Sequence, residues 1–180
     1  MKVRRSHYEH AFEQYLDHRG TPYVAVEDVQ HFAKRQTGAK AFDYIVYPPS
    51  GPACLVDVKG RKSTAKSGGV DCRQKNWVTQ SDVAGLQTWQ EVFGPDYLAV
   101  FVFSYWLAGE RGVSASDDGA QASAVFSFAG RRYSFWLVSV AEYAQHQTEL
   151  SKSWKTVSIP RTVFRDISKR LEASWPAAPC

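Results

Sequence analysis

The reading of the fold starts from three consecutive runs: Phe42-Asp-Tyr-Ile-Val-Tyr47, Pro48-Pro-Ser-Gly-Pro52 and Ala53-Cys-Leu-Val-Asp-Val-Lys59. The outer two are rich in β-branched and aromatic residues, and the cluster between them forbids regular structure, so the stretch reads as a β-hairpin. If the hairpin is antiparallel and folds symmetrically about Ser50, Tyr47 faces Ala53, Ile45 faces Leu55 and Asp43 faces Asp57. Directly opposed residues carry Cβ atoms about 4.5–5.5 Å apart, and like charges there destabilise a sheet unless something positive lies between them. A divalent cation resolves that conflict. Lys59 falls on the same face as Asp57, one position further along, where an ammonium can orient or deprotonate water. Oxygen ligands from two aspartates suit Mg²⁺ or Mn²⁺ and leave positions open for water and phosphate oxygens, which is the arrangement of a Lewis acid in phosphodiester hydrolysis.

Upstream of the hairpin, Ser6-His-Tyr-Glu9 has the spacing of a capping box, and Tyr8, Ala11, Phe12, Tyr15 and Leu16 recur at helical intervals up to Gly20, which predicts a helix over residues 7–19. Tyr23-Val-Ala-Val26 reads as a short strand, and Glu27 to Gly38 as a connection or short helix. Downstream, residues 60–78 read as a loop. Val83, Leu86, Trp89, Val92 and Phe93 then predict an amphipathic helix from Ser81 to Gly94-Pro95. Tyr97 to Leu107 is nearly all apolar, as in a strand buried on both faces. Residues 108–123 read as a solvated loop. A strand pair is expected at Ala124–Phe128 and Arg131–Val140, a strand at Trp154–Ile159 and a helix at Pro160–Ala173. Together these elements specify an α/β fold with a central mixed sheet flanked by helices, as one domain over residues 1–180.

Whole-chain properties narrow the function classes. No apolar run is long enough to span a membrane and the basic N-terminus lacks the apolar segment of a secretory signal, so a soluble cytoplasmic protein without a membrane partner is expected. Cys54, Cys72 and Cys180 show no spacing for a disulfide framework or a zinc site. The five histidines form no pattern of a metal cluster or a nucleophile partner. The net charge of +4 is modest, but Lys59, Arg61, Lys62, Lys66, Arg73 and Lys75 face the single Asp71 within one short stretch. A cationic segment beside a phosphate-cleaving site attracts a polyanion, so nucleic acid is the expected substrate, with Arg61, Lys62, Lys66, Arg73 and Lys75 on its backbone. Of the six tryptophans, core packing accounts for most, and Trp77 is the one placed to stack on a base.

Phe12-Glu13 on the first helix, Asp43 on a strand and Leu55-Val-Asp57-Val-Lys59-Gly on the next resemble the PD-(D/E)XK nuclease superfamily, in particular its Holliday-junction-resolvase and restriction-endonuclease-like members. The resemblance spans roughly residues 7–104. It implies a restriction-endonuclease-like fold, a metal bound by Asp43 and Asp57 with Val58 in the ligand set, Glu13 organising the site, and Lys59 acting on the attacking water. It also implies Mg²⁺ or Mn²⁺ as cofactor, DNA as the favoured substrate, and room for a homodimer, which is common in that family. Phe42 stands where the family usually has a proline. Gln80, Gln87 and Gln90 match no second-helix pattern and are left out of the site. The competing expectation is a nuclease-like fold that binds nucleic acid or a protein partner without cutting.

Overall fold

The computed structural model describes residues 6–26, 38–63, 75–108 and 125–175. The element order is α1 (His7–Arg19), β1 (Tyr23–Ala25), β2 (Tyr44–Val46), β3 (Ala53–Ser63), β4 (Val78–Thr79), α2 (Gln80–Phe93), β5 (Tyr97–Leu107), β6 (Phe126–Phe128), β7 (Arg131–Ser139), α3 (Val140–His146), β8 (Thr148–Ser151), β9 (Thr156–Ser158), α4 (Arg161–Ile167), β10 (Lys169–Arg170) and α5 (Leu171–Ser174). The main sheet runs β1-β2-β3-β5-β7-β10, with β6 added beside β7. Among the described residues only β3 and β5 are parallel in this sheet, joined through β4 and α2; its other pairs are antiparallel. A second sheet has the order β4-β9-β8. The fold is therefore a mixed sheet with helices on both faces, as the patterning implies.

The hairpin register is the expected one, with Tyr44 opposite Val56, Ile45 opposite Leu55 and Val46 opposite Cys54. Asp43 sits one step before the ladder and stays tied to both neighbours: its N–H donates to the Val56 carbonyl at 2.9 Å and its own carbonyl accepts from Val26 N–H at 2.9 Å.

Alternation along β3 and β5 sorts the core into two layers. Leu55, Phe101, Phe103 and Tyr105 pack against Val83, Leu86 and Trp89 of α2, Tyr143 of α3 and Phe164 of α4. On the opposite face, Val56, Val58, Val100 and Val102 pack against Ala11, Phe12, Tyr15 and Leu16 of α1 and against Leu171 and Trp175. β5 is buried on both faces, which is why its sequence is a continuous apolar run. Gly60 brings α1 close to β3, since a Cβ there would lie 2.2 Å from the Tyr8 ring.

Several boundaries differ from the sequence reading. β3 does not stop at Lys59 but continues to Ser63, because β5 supplies a partner for every residue from Ala53 to Ser63. The helix expected over Pro160–Ala173 is broken: Lys169 and Arg170 extend to pair with Leu137 and Trp136 of β7. Trp154 and Lys155 belong to a turn, and the strand expected from Trp154 begins at Thr156. α3 and β8 have no counterpart in the expectation. The segment read as a connection or short helix lies almost wholly outside the described residues, as does most of the 108–123 stretch.

Candidate active site

β3 projects Asp57 and Lys59 onto the α2 face of the sheet, the face of Leu55, and β2 brings Asp43 up beside them. Asp57 is 6% exposed, and its Oδ2 lies 2.7 Å from Lys59 Nζ. Asp43 Oδ2 accepts the Val58 N–H at 2.7 Å, a bond that spans the two strands. Three of the expected site residues, Asp43, Asp57 and Lys59, thus converge, with Val58 linked to them through its backbone.

A fourth charged residue, Asp82, joins them from the first turn of α2. Its position is fixed by a reciprocal cap: Asp82 N–H donates to Thr79 Oγ1 at 3.1 Å and Thr79 N–H donates to Asp82 Oδ2 at 2.7 Å. The other carboxylate oxygen is 3.1 Å from Lys59 Nζ and is also gripped by Lys40. Lys59 is therefore clamped between Asp57 and Asp82. The sequence hides this residue, because an aspartate three positions after a threonine at a helix start reads only as a cap; none of the α2 glutamines takes its place. Gln90 instead bonds the backbone at Tyr97 and Ala99, positioning the start of β5.

Protonation follows from these contacts. Burial pushes the Asp43 carboxyl well above the ordinary carboxylate range, and the negative charge of Asp57 pushes it further, against the Val58 hydrogen bond. Asp57 is also raised, mainly by burial, with Lys59 opposing. Burial works to lower the Lys59 ammonium, but Asp57 and Asp82 outweigh it and hold it above its ordinary value. For Asp82, burial is overcome by Lys59, Lys40 and the Thr79 cap, which bring its carboxyl down to about 2. Lys59 is thus a charged donor at neutral pH, suited to orienting a water or stabilising an anion.

Glu13 lies elsewhere. It is buried on α1, on the opposite face of the sheet, where Tyr44 Oη donates to its Oε1 at 3.0 Å. The α1 glutamate whose charge raises Asp43 is Glu9, one turn earlier and half-buried. Its N–H and carboxylate both engage Ser6 Oγ, at 3.4 and 2.7 Å, so the capping signal that the sequence shows at Glu9 concealed its proximity to the strand acids.

The donor set suits a small hard cation. Among the described residues no three His, Cys, Asp or Glu side chains cluster as a ready metal cage, and Mg²⁺ does not require one, since one or two carboxylates plus waters and phosphate oxygens complete its shell. Asp43 and Asp57 supply carboxylates whose charged forms the protein disfavours, and a cation between them relieves that cost.

Beyond Lys59, cations on and around β3 pack against aromatic rings. The Arg61 guanidinium lies 4.0 Å from the Trp77 ring centre, donates to the Gly60 carbonyl at 2.7 Å and also reaches the Trp77 carbonyl. On the opposite, α1 face of the sheet, Lys62 and Arg131 flank Trp106 at 4.7 and 4.9 Å. Lys75 Nζ donates to the Lys62 carbonyl at 2.8 Å. Arg61 and Lys62 stand on β3 itself, so this part of the expected loop is held by strand pairing. Lys66 and Arg73 lie outside the described residues.

Helices pack on both faces of a mixed sheet whose central parallel pair carries Asp57 and Lys59, with Asp43 just before the neighbouring strand, in an α/β fold. A comparison with solved structures agrees: the chain is similar to Hjc of Archaeoglobus fulgidus, a Holliday junction resolvase from an archaeal hyperthermophile, with a TM-score of 0.50, 11% sequence identity and 96% of each chain covered. That likeness establishes the restriction-endonuclease-like fold. No family model matches the chain, and no curated protein does. Among the described residues no helix is long and apolar enough to cross a membrane.

Proposed function

We infer that the chain is a metal-dependent endonuclease that hydrolyses phosphodiester bonds of nucleic acid, with DNA as the favoured substrate. The observation that carries this reading is the meeting of Asp43, bonded to the Val58 N–H of β3, with Asp57 and with Lys59 beside Asp57 on the same face. Asp43, Asp57 and the backbone carbonyl of Val58 would hold Mg²⁺ or Mn²⁺. Bound there, the ion would polarise the phosphate and lower the pKa of a coordinated water.

The remaining roles belong to the chain itself. Lys59, charged and clamped by Asp57 and Asp82, donates to the attacking water or to a phosphate oxygen where negative charge develops. Asp82 and Lys40 fix the direction of that ammonium without touching the phosphate. Glu13 holds Tyr44 and so braces the strand that carries Asp43. Arg61, Lys62 and Lys75, with Lys66 and Arg73, contact the phosphate backbone and position it without reading sequence.

Incubation of the wild-type chain with DNA and RNA in single-stranded, duplex and branched forms tests the reading, with Mg²⁺, Mn²⁺ or a chelator present. Cleavage with either metal and none with the chelator is expected. Cleavage that persists in chelator, or no cleavage of any form with either metal, overturns it.

A further inference from the structure

The turn Ser151-Lys-Ser-Trp-Lys155 between β8 and β9 is an exposed aromatic feature bonded to the first residue of α2, and it plays no part in the chemistry assigned to Asp43, Asp57 and Lys59. Trp154 is 79% exposed, against an expectation of core packing for most tryptophans. Its neighbours Lys152 and Lys155 are exposed cations, and the turn carries no carboxylate; the nearest in sequence, Glu149, lies back on β8 opposite Val157.

The turn is held in shape. Lys155 N–H donates to the Lys152 carbonyl at 3.3 Å, Trp154 N–H donates to Ser151 Oγ at 3.3 Å, and the Ser151 and Ser153 hydroxyls are 3.1 Å apart. Lys155 adopts a left-handed backbone, φ 48°, which a side-chain-bearing residue takes up only when its surroundings impose it. Its carbonyl accepts the N–H of Gln80 at 2.9 Å, the first residue of α2. Asp82, which grips Lys59, is two residues further on. The base of the hairpin is fixed as well: Asn76 exchanges two hydrogen bonds with Ile159, at 2.9 and 3.0 Å, and Val78 pairs with Val157. An exposed indole flanked in sequence by two lysines therefore stands, on a hydrogen-bonded turn, at the end of α2 that carries Asp82.

We propose that the β8–β9 turn is a nucleic-acid contact in which Trp154 stacks on an unpaired base beside the duplex, with Lys152 and Lys155 on the adjoining phosphates. Aromatic rings stack on any base whose face is free, and in continuous duplex each face is covered by its neighbours. Trp154 therefore selects substrates with a single-stranded arm, such as a fork or branch. The inference rests on the nuclease reading for its substrate class, but it is a statement about binding and is tested by binding.

The experiment measures anisotropy of a labelled forked duplex in the presence of chelator, so that nothing is cut, with relaxed closed-circular duplex as competitor at matched phosphate. Trp154→Ala is expected to weaken forked-duplex binding roughly tenfold, from the loss of one base–aromatic stack, while competition by closed circles stays as for the wild type. Trp154→Phe, which keeps an aromatic face, is expected to retain most of the affinity. Equal loss on both DNAs, no loss on either, or failure of Phe to rescue overturns the proposal. Failure of the nuclease reading shows separately, as absence of cleavage with metal while the preference for the fork persists.

Discussion

Lys59 is held by two carboxylates, and each has a distinct consequence when removed. Asp82→Ala leaves Lys40 and Lys59 without their shared partner and deletes half of the Thr79 cap; breaking a buried pair of this kind costs about 3 kcal/mol, which urea denaturation will measure. Because the Asp82 carboxyl is held at about 2, below its ordinary 3.8, its ionised form stabilises the fold above pH 4 and that contribution is lost as pH falls towards 2. The stability gap between wild type and Asp82→Asn should therefore be widest near neutrality and narrow over that acid range. Asp43 has the opposite sign. Its carboxyl is raised by burial and by Asp57, so its charge weighs against folding as pH rises. Asp43→Asn should melt higher than the wild type in chelator and gain less from added Mg²⁺, as thermal scans in both conditions will show. A variant that melts lower in chelator, or that gains as much from Mg²⁺, contradicts the role given to Asp43.

Among the elements, β3 carries most of the residues of the proposed site, and its sequence shows which features can be read without a structure. The register of β2 against β3 was legible because the proline-rich cluster at 48–52 fixes the turn and a one-residue slip would turn Leu55 and Val56 to the wrong faces. The continuation from Gly60 to Ser63 was not, since Gly, Arg, Lys and Ser prefer strands weakly and the pairing comes from β5, far along the chain. Asp82 was hidden for a related reason: a helix cap is a local signal, whereas its contact with Lys59 is tertiary. Glu13 was read from its place in a helix, and only the packing of α1 shows that it faces the other side of the sheet from Asp57. The closeness of α1 to β3 gives the element-scale prediction. Gly60→Ala should destabilise the fold by about 1–3 kcal/mol, because the new methyl meets the Tyr8 ring. In the Tyr8→Ala background the same change should cost less than half as much, and an additive double mutant would show that the strain lies elsewhere.

For the molecule as a whole, the positive charge is less important than where it stands. Arg61 lies over Trp77, whereas Lys62 and Arg131 flank Trp106 on the α1 face of the sheet, so cations stand on both faces at the end of the strand that carries Asp57. Lys62→Ala should weaken DNA binding across sequences and reduce the slope of log affinity against log salt by about one, since one phosphate fewer is neutralised; an unchanged slope removes Lys62 from the interface. The strand aspartates are held to run the chemistry, and Asp57→Asn tests this most directly, because it keeps the shape of the side chain and removes its charge. In cleavage of DNA with saturating Mg²⁺, Asp57→Asn is expected to lose activity by on the order of a thousandfold while its DNA binding in chelator stays near that of the wild type. Cleavage by Asp57→Asn at a rate close to that of the wild type would contradict it.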